Sequence, residues 1–432
     1  MSDSAIQAAA QPLPTAPPEP VQTRPRRDAQ GGIWYWLRKA VVVAASLRIT
    51  VVLFLLAILL IFFGTLAQVD AGIWTVVTKY FRCFFAWIPF KIFFFRGVRD
   101  RIHGGFPFPG GWLIAGLLLV NLLAAHAIRF RLTWKRSGVL ILHAGLIVMI
   151  AGEFITGLFA VESRMGINTG KTSNYLYSHQ YVELAFSTRT KDGEERIVAI
   201  PNGILKKQGT VNNESLPFIV HVDKFMVNSK LSPPGSDLDN PATAGAGLNR
   251  IAIERPEGSG VDEGDVDHAA AYVTLVDRKT GKASTYLFAE QFGSTEPSEF
   301  GLPPQQISVD DRVFEGELRF ARTYEPFTVK LHDVTAQYYP GTETPRSFVS
   351  RIHMTDPEEG VERDETISMN APLRYRGYTF YQANVNMDWT GLQVVRNPGA
   401  PMPYLSCGLV AVGMLVHFGI QLIEFLRRRA AA

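Results

Sequence analysis

Cysteine is scarce. The 432 residues contain two, Cys83 and Cys407, far apart and in no CxxC pattern. That excludes a disulfide scaffold and a thioredoxin-like redox protein; both lie in or beside apolar sequence and read as buried thiols. An excess of one charge is missing too. Lys and Arg number 43 against 40 Asp and Glu, a net charge of +3, and no basic-aromatic stripe accompanies it, so nucleic acid is not a partner. P-loop, GxSxG and HExxH motifs are absent, which removes nucleotide, serine-hydrolase and zinc-protease chemistry. There is no fixed-period repeat. Residues 1–32 have no apolar run; rich in Pro, Ala and Gln, they are expected to be a disordered cytoplasmic N-terminus. They do not form a signal peptide, because Arg24, Arg26 and Arg27 follow a polar tract with no adjacent cleavage site.

Long apolar sequence, by contrast, is abundant. Four runs, 49–68, 111–130, 138–160 and 404–426, each approach the roughly 20 residues that cross a bilayer. Backbone groups in lipid must bond internally, so these segments are expected to be helices. Basic residues flank them: Arg24, Arg26, Arg27, Arg38 and Lys39 before the first, Arg129, Arg131, Lys135 and Arg136 between the second and third, and Arg427, Arg428 and Arg429 after the fourth. In a four-span topology these fall on one side, the cytoplasmic one. The loop at 79–103 opposes that bias with Lys79, Arg82, Lys91, Arg96, Arg99 and Arg101. Its dense aromatic content suits an element lying in the outer interface; a re-entrant or short spanning segment at 81–95 is the alternative.

Residues 161–403 carry strand signals. "YVELAFSTRTKDGEERIVAI" alternates around Asp-Gly, and "AAYVTLVDRKTGKASTYLFA" around Thr-Gly, as hairpins do. "PFTVKLHDVTAQYYPG", "SFVSRIHMTD" and "PLRYRGYTFYQANV" read as further strands. The expected fold is therefore integral membrane α + β: four transmembrane helices, with a large, mostly antiparallel β domain, a sandwich or open barrel, between helices 3 and 4. The expected divisions are 1–32, a membrane domain at 33–160, an extracytoplasmic domain at 161–403, and a last helix with a basic cytoplasmic tail at 404–432.

Three of the nine histidines, His126, His143 and His417, fall inside the apolar runs. At ~1.5 Å rise per residue they lie roughly 5, 10 and 15 Å from the basic cytoplasmic ends. Ionisable groups at such depths usually face a cavity or a partner, and imidazole is the usual protein ligand of haem iron. The bland alternative is a hydrogen bond to a neighbouring helix, and His126 is near enough to the end to snorkel. Gly138, Gly145 and Gly152 share one face of the third run, where a helix or a flat ligand can approach closely. Glu153 is a second ionisable group on that run, able to pair with a histidine. The external His179, His221, His268, His332 and His353 show no metal-ligand spacing and read as surface or strand residues. "VDEGDVD" at 261–267 lacks the EF-hand order.

Several of these segments resemble the ResB-like family of cytochrome c biogenesis proteins. "SLRITVVLFLLAILLIFFGTLAQVDAGI" is similar to its first span, "WLIAGLLLVNLLAAHAIR" to its second, and "LHAGLIVMIAGEFITGLFA" to its His-x-Gly third. "VESRMGINTGKTSNY", "FTVKLHDVTAQYYPGTETPRSFVSRIHMTD", "APLRYRGYTFYQANVN" and "GLQVVRNPGAPMPYLSCGLVAVGMLVHF" follow in the family's order, so the resemblance covers most of 40–426. It implies a subunit of System II cytochrome c maturation in a bacterial inner membrane, the large domain facing the periplasm or cell exterior. Such a subunit works with a CcsA-type membrane protein, moves haem b across the membrane and assists its attachment to apocytochrome c. The family's intramembrane axial ligand corresponds to His143; His417 and His126 are candidates on depth alone. No side-chain nucleophile is implied, only a non-catalytic or co-catalytic role. The competing readings are a membrane-anchored β-domain scaffold without haem and a transporter, the latter opposed by the lack of repeated spans.

Overall fold

The computed structural model describes residues 33–431 except 70, 100, 130–132, 191, 235–239, 257–266, 291–301, 311, 343 and 387. The expected disordered terminus and most of the acidic stretch at 261–267 lie outside the described residues. The chain opens with α1 (Ile33–Ala44), whose Trp34, Tyr35 and Trp36 are exposed, as suits rings at a membrane interface. Ser46, in extended conformation, breaks it from α2 (Leu47–Ala67). This break is not visible in the hydropathy pattern, which runs on through it. Asn121 holds it: its amide nitrogen donates to the carbonyls of Ala44 (2.6 Å) and Ser46 (3.1 Å), and its oxygen accepts from Thr50 Oγ1 (2.7 Å).

A single turn, α3 (Ile73–Val76), leads through a π turn into strand β1 (Phe85–Pro89). A 3-10 turn and the short α4 (Arg96–Arg99) then connect to β2 (Gly105–Pro109), which pairs antiparallel with β1. The aromatic loop is thus a hairpin and carries no spanning helix; a five-residue strand reaches only about 17 Å of the ~30 Å hydrocarbon core. Phe63 of α2 meets Phe93, Phe106 and Phe108 edge-on at 5.2–5.8 Å, so the rings pack the hairpin onto the membrane helices. Next come α5 (Gly111–Arg129) and α6 (Ser137–Phe159). After the β region, which includes the one-turn α7 (Asn202–Leu205), the chain closes with α8 (Met402–Ala430). Helices α2, α5, α6 and α8 are each long and apolar enough to cross a membrane, and their bounds lie within about four residues of those expected. Both cysteines are free. Neither is buried in the chain: Cys407 is exposed on α8 and Cys83 is half-buried.

The β region is antiparallel throughout. One sheet has ten strands: β3 (Val161–Asn168), β4 (Thr172–Arg189), β5 (Glu195–Pro201), β12 (Gln305–Val309), β13 (Arg312–Tyr338), β14 (Pro345–Asp356), β15 (Val361–Ser368), β16 (Leu373–Tyr375), β17 (Tyr378–Asn386) and β18 (Trp389–Arg396). A second has four: β6 (Gly209–Val211), β7 (Phe218–Met226), β10 (Ala270–Asp277) and β11 (Ala283–Ala289). The small pair β8 (Ser229–Ser232) and β9 (Ile251–Glu254) occupies the Gly-, Pro- and Asp-rich stretch. The Asp-Gly and Thr-Gly signals mark real hairpins, β4–β5 and β10–β11. Between β16 and β17, Arg376 and Gly377 both have positive φ (45° and 78°), the backbone a tight hairpin turn demands.

Two apolar cores result. The first joins the four-stranded sheet to β4, β12 and the start of β13 through Phe186, Phe218, Phe288 and Phe314. The second gathers Met165, Phe327, Ile352, Ile367, Phe380 and Leu392, because the large sheet curls until β17 packs over β13–β15. The long β13 runs through both, bending where its register shifts between Phe320 and Arg322 and between Tyr324 and Val329. Inside the curl, Ser350 bonds Gln382 (2.6 Å) and Thr390 (2.8 Å), so its buried hydroxyl is satisfied.

Candidate functional site

Helix α5 approaches its basic end just as α6 leaves its own, so residues near these ends share a depth. His126 stands three residues before Arg129, and His143 six after Ser137. Their rings meet with centroids 4.9 Å apart and planes at 90°. Both residues are half-buried within the chain. His126 Nδ1 lies 2.8 Å from the Leu122 carbonyl one turn back. A carbonyl only accepts, so Nδ1 carries the proton and Nε2 of the neutral ring presents a lone pair. That is the tautomer a metal-binding imidazole needs, fixed by an outer hydrogen bond.

This donor set fits haem iron, with one restriction. Two imidazoles on opposite sides of one iron hold their centroids roughly 6 Å apart, from two bonds of about 2 Å plus the ring radii. At 4.9 Å the two rings cannot both be axial ligands of one iron without moving. In this arrangement at most one ring could ligate, with the other standing against it edge-on.

The third candidate lies elsewhere. The main chain of His417 packs against Gly138, where a Cβ would lie 2.7 Å from His417 Cα and from the Gly413 carbonyl oxygen. Its ring reaches Gln421 (Nε2 to Nε2, 3.2 Å) and Phe418 (centroids 5.4 Å apart). Among the described residues the three intramembrane histidines do not converge on one ion-sized site. The glycine face of α6 is taken by α8: Gly145 accepts a buried hydrogen bond from Ser406 Oγ (2.8 Å), and Gly152 sits against Met402. At about 100° per residue, His143 points roughly 140° away from Gly138. The small residues therefore serve helix packing, and the His143 ring turns towards α5.

Glu153 does not pair with a histidine. It sits roughly 24 Å along α6 from Ser137, and its carboxylate lies 3.7 Å from Arg82 of the aromatic loop. At the other end Lys135 and Glu424, 2.7 Å apart, tie the start of α6 to α8.

One group escaped the sequence reading. His332 of β13, His353 of β14 and Asp364 of β15 place their ligand atoms within 4.8 Å of one another. Only strand register joins them, so residue spacing gave no signal. His221, by contrast, bonds Thr210 (2.9 Å), and His268 lies 3.6 Å from Glu290.

A model of the ResB-like family matches residues 304–388, from β12 to the turn after β17. Protein NrfI of Wolinella succinogenes is 25% identical over 311 residues, 70% of this chain. The ResB-like resemblance holds. The matched part amounts to 29% of that relative's own length. The ResB-like segment contains most of the second core and the His332 group; His126 and His143 lie outside it.

Proposed function

We propose that this chain is a ResB-like membrane subunit of cytochrome c biogenesis, working in the System II manner. It carries haem b across a bacterial inner membrane and assists its covalent attachment to apocytochrome c, beside a CcsA-type membrane protein. The reading rests on the resemblance and on one observation above others: the His126–His143 contact, with His126 Nδ1 committed to the Leu122 carbonyl. Haem is cargo here, and its iron supplies a Lewis-acidic centre that one imidazole nitrogen can hold.

The chain's own contribution is position. Either Nε2 of His126 or a ring nitrogen of His143 takes the iron on the α5 side of α6, and the second ring limits where the porphyrin lies. Helix α8, locked to the glycine face, keeps α6 from yielding. The lipid around the half-buried pair keeps bulk water from the iron until the cargo moves on. The β domain, on the side opposite the basic flanks, faces the periplasm or cell exterior, where apocytochrome c presents its thiols. Catalysis by this subunit is then orientation of two reactants, with no nucleophile of its own.

The test is maturation of a c-type reporter in cells lacking their own pathway, with this chain and a CcsA-type protein co-expressed. His126→Ala and His143→Ala should each reduce haem-stained reporter, and added imidazole should restore part of it. Normal maturation by the double variant would leave the haem-free scaffold as the reading.

A further inference from the structure

The His332 group sits on the solvent face of the large sheet, near its β15 edge. Cross-strand neighbours point to one side, and His353 lies directly opposite Asp364. The adjacent Ile352 and Met354 are fully buried on the core side, so His353 faces outward. His332 belongs on that face by alternation, since its neighbour Leu331 is fully buried on the core side. The register steps from Leu331–Ile352 to Asp333–Arg351, leaving His332 as the extra residue. The step brings Asp333 to the outer face beside His332, and bulges are over-represented next to functional sites.

The distances have the pattern of a ligand set. His332 Nε2 is 3.4 Å from Asp364 Oδ1, and His353 Nδ1 is 2.7 Å from the same oxygen. Ligands on a tetrahedron with bonds of about 2.0–2.1 Å lie roughly 3.3 Å apart. The first pair is already at that spacing, and the second has to open by about half an ångström. On its other side, His353 Nε2 lies 3.4 Å from Glu362 Oε1. With Nδ1 on a metal, Nε2 keeps the proton and donates to Glu362, the carboxylate–histidine–metal relation that orients metal-bound imidazoles. Asp333 is not available as a further ligand, since both of its oxygens accept from Arg351 Nε at 2.9 Å.

We propose that His332, His353 and Asp364 form a binding site for a zinc-class divalent ion, with Glu362 orienting His353 and a water completing the tetrahedron. Two imidazoles and one carboxylate suit Zn²⁺ and its spectroscopic substitute Co²⁺, and disfavour Mg²⁺ and Ca²⁺, which take all-oxygen shells. The ion clamps three successive strands at an exposed sheet edge and leaves one position open to solvent. Binding releases the Nδ1 proton of His353. This site is separate from the haem reading and survives its failure.

The test uses the full chain in detergent, without a polyhistidine tag, stripped by chelator and titrated with Zn²⁺ by calorimetry and with Co²⁺ by visible absorption. The expected result is one ion per chain and a tetrahedral Co²⁺ spectrum. His332→Ala, His353→Ala and Asp364→Asn should each abolish the spectrum, and Glu362→Gln should weaken binding about 10–100-fold. His143→Ala should leave all of this unchanged. Asp364→Asn keeps the side-chain shape, so it remains informative if an alanine variant misfolds. An unchanged Co²⁺ spectrum in Asp364→Asn, or no Zn²⁺ uptake by the unaltered protein, overturns the proposal.

Discussion

Replacing Gly138 by Ala probes the helix contact that holds α6 in place. A Cβ there would meet the His417 main-chain nitrogen and would stand 2.7 Å from the Gly413 oxygen and from His417 Cα. These are backbone atoms and cannot swing aside. Carbon contacts are comfortable only from about 3.5 Å, so α8 must retreat by nearly 1 Å. Overpacking of this kind costs about 1–3 kcal/mol. Loss of the Ser406–Gly145 hydrogen bond two turns away would add about 1 kcal/mol. Gly419 supplies the control on α8, because nothing lies within 4 Å of its Cβ position. Gly419→Ala should be neutral or stabilising by up to about 1 kcal/mol from helix propensity. The assay is SDS-induced unfolding in mild-detergent micelles, followed by helical circular dichroism. Equal stability of Gly138→Ala and Gly419→Ala would refute the α6–α8 packing on which the position of His143 depends.

Other perturbations separate structural from functional polar groups. Asn121→Leu removes three hydrogen bonds and takes the side-chain donor from the Ala44 carbonyl, while Ser46 keeps the Ile49 and Thr50 amides; it should destabilise by about 1–3 kcal/mol in the same unfolding assay. Glu153→Gln breaks only a long, exposed ion pair with Arg82; it should cost less than about 1 kcal/mol and leave haem loading unchanged in pigment measurements. Burial pushes the Asp356 carboxyl up, but bonds from Tyr375, the Glu359 amide and Arg376 outweigh it and hold it below the usual carboxylate range. The sign follows: its contribution is present above the unfolded value near ~3.9 and is lost as pH falls through the lower folded value. Denaturant curves at several pH values should show Asp356→Asn weaker than the unaltered protein at neutral pH, with the gap closing in acid.

What was legible in the sequence follows from the strength of each local signal. Apolar runs near 20 residues leave little choice, so the spans at 49–68 and 138–160 coincide with helices Leu47–Ala67 and Ser137–Phe159. Turn chemistry was equally plain, since Arg376-Gly377 and the Asp-Gly after Arg189 sit where strands reverse. Features that depend on side chains far apart in sequence were not legible. The break at Ser46 is held by Asn121, over seventy residues away. The glycines of α6 suggested close approach without saying that α8 would make it. Depth alone grouped three histidines, whereas helix azimuth joins two of them and turns His417 elsewhere. His332, His353 and Asp364 meet only through the register of three strands, which residue spacing does not announce.

The central claim is that one ring of the His126–His143 pair holds haem iron while the other positions it, and the direct measurement is the Soret absorption of the protein purified with its membrane partner. The account predicts a Soret band, a clear loss of it when His143 or His126 is replaced by Gly, and its return when imidazole fills the vacated space. A protein that shows no Soret band in any preparation, or a band untouched by loss of both histidines, would contradict it.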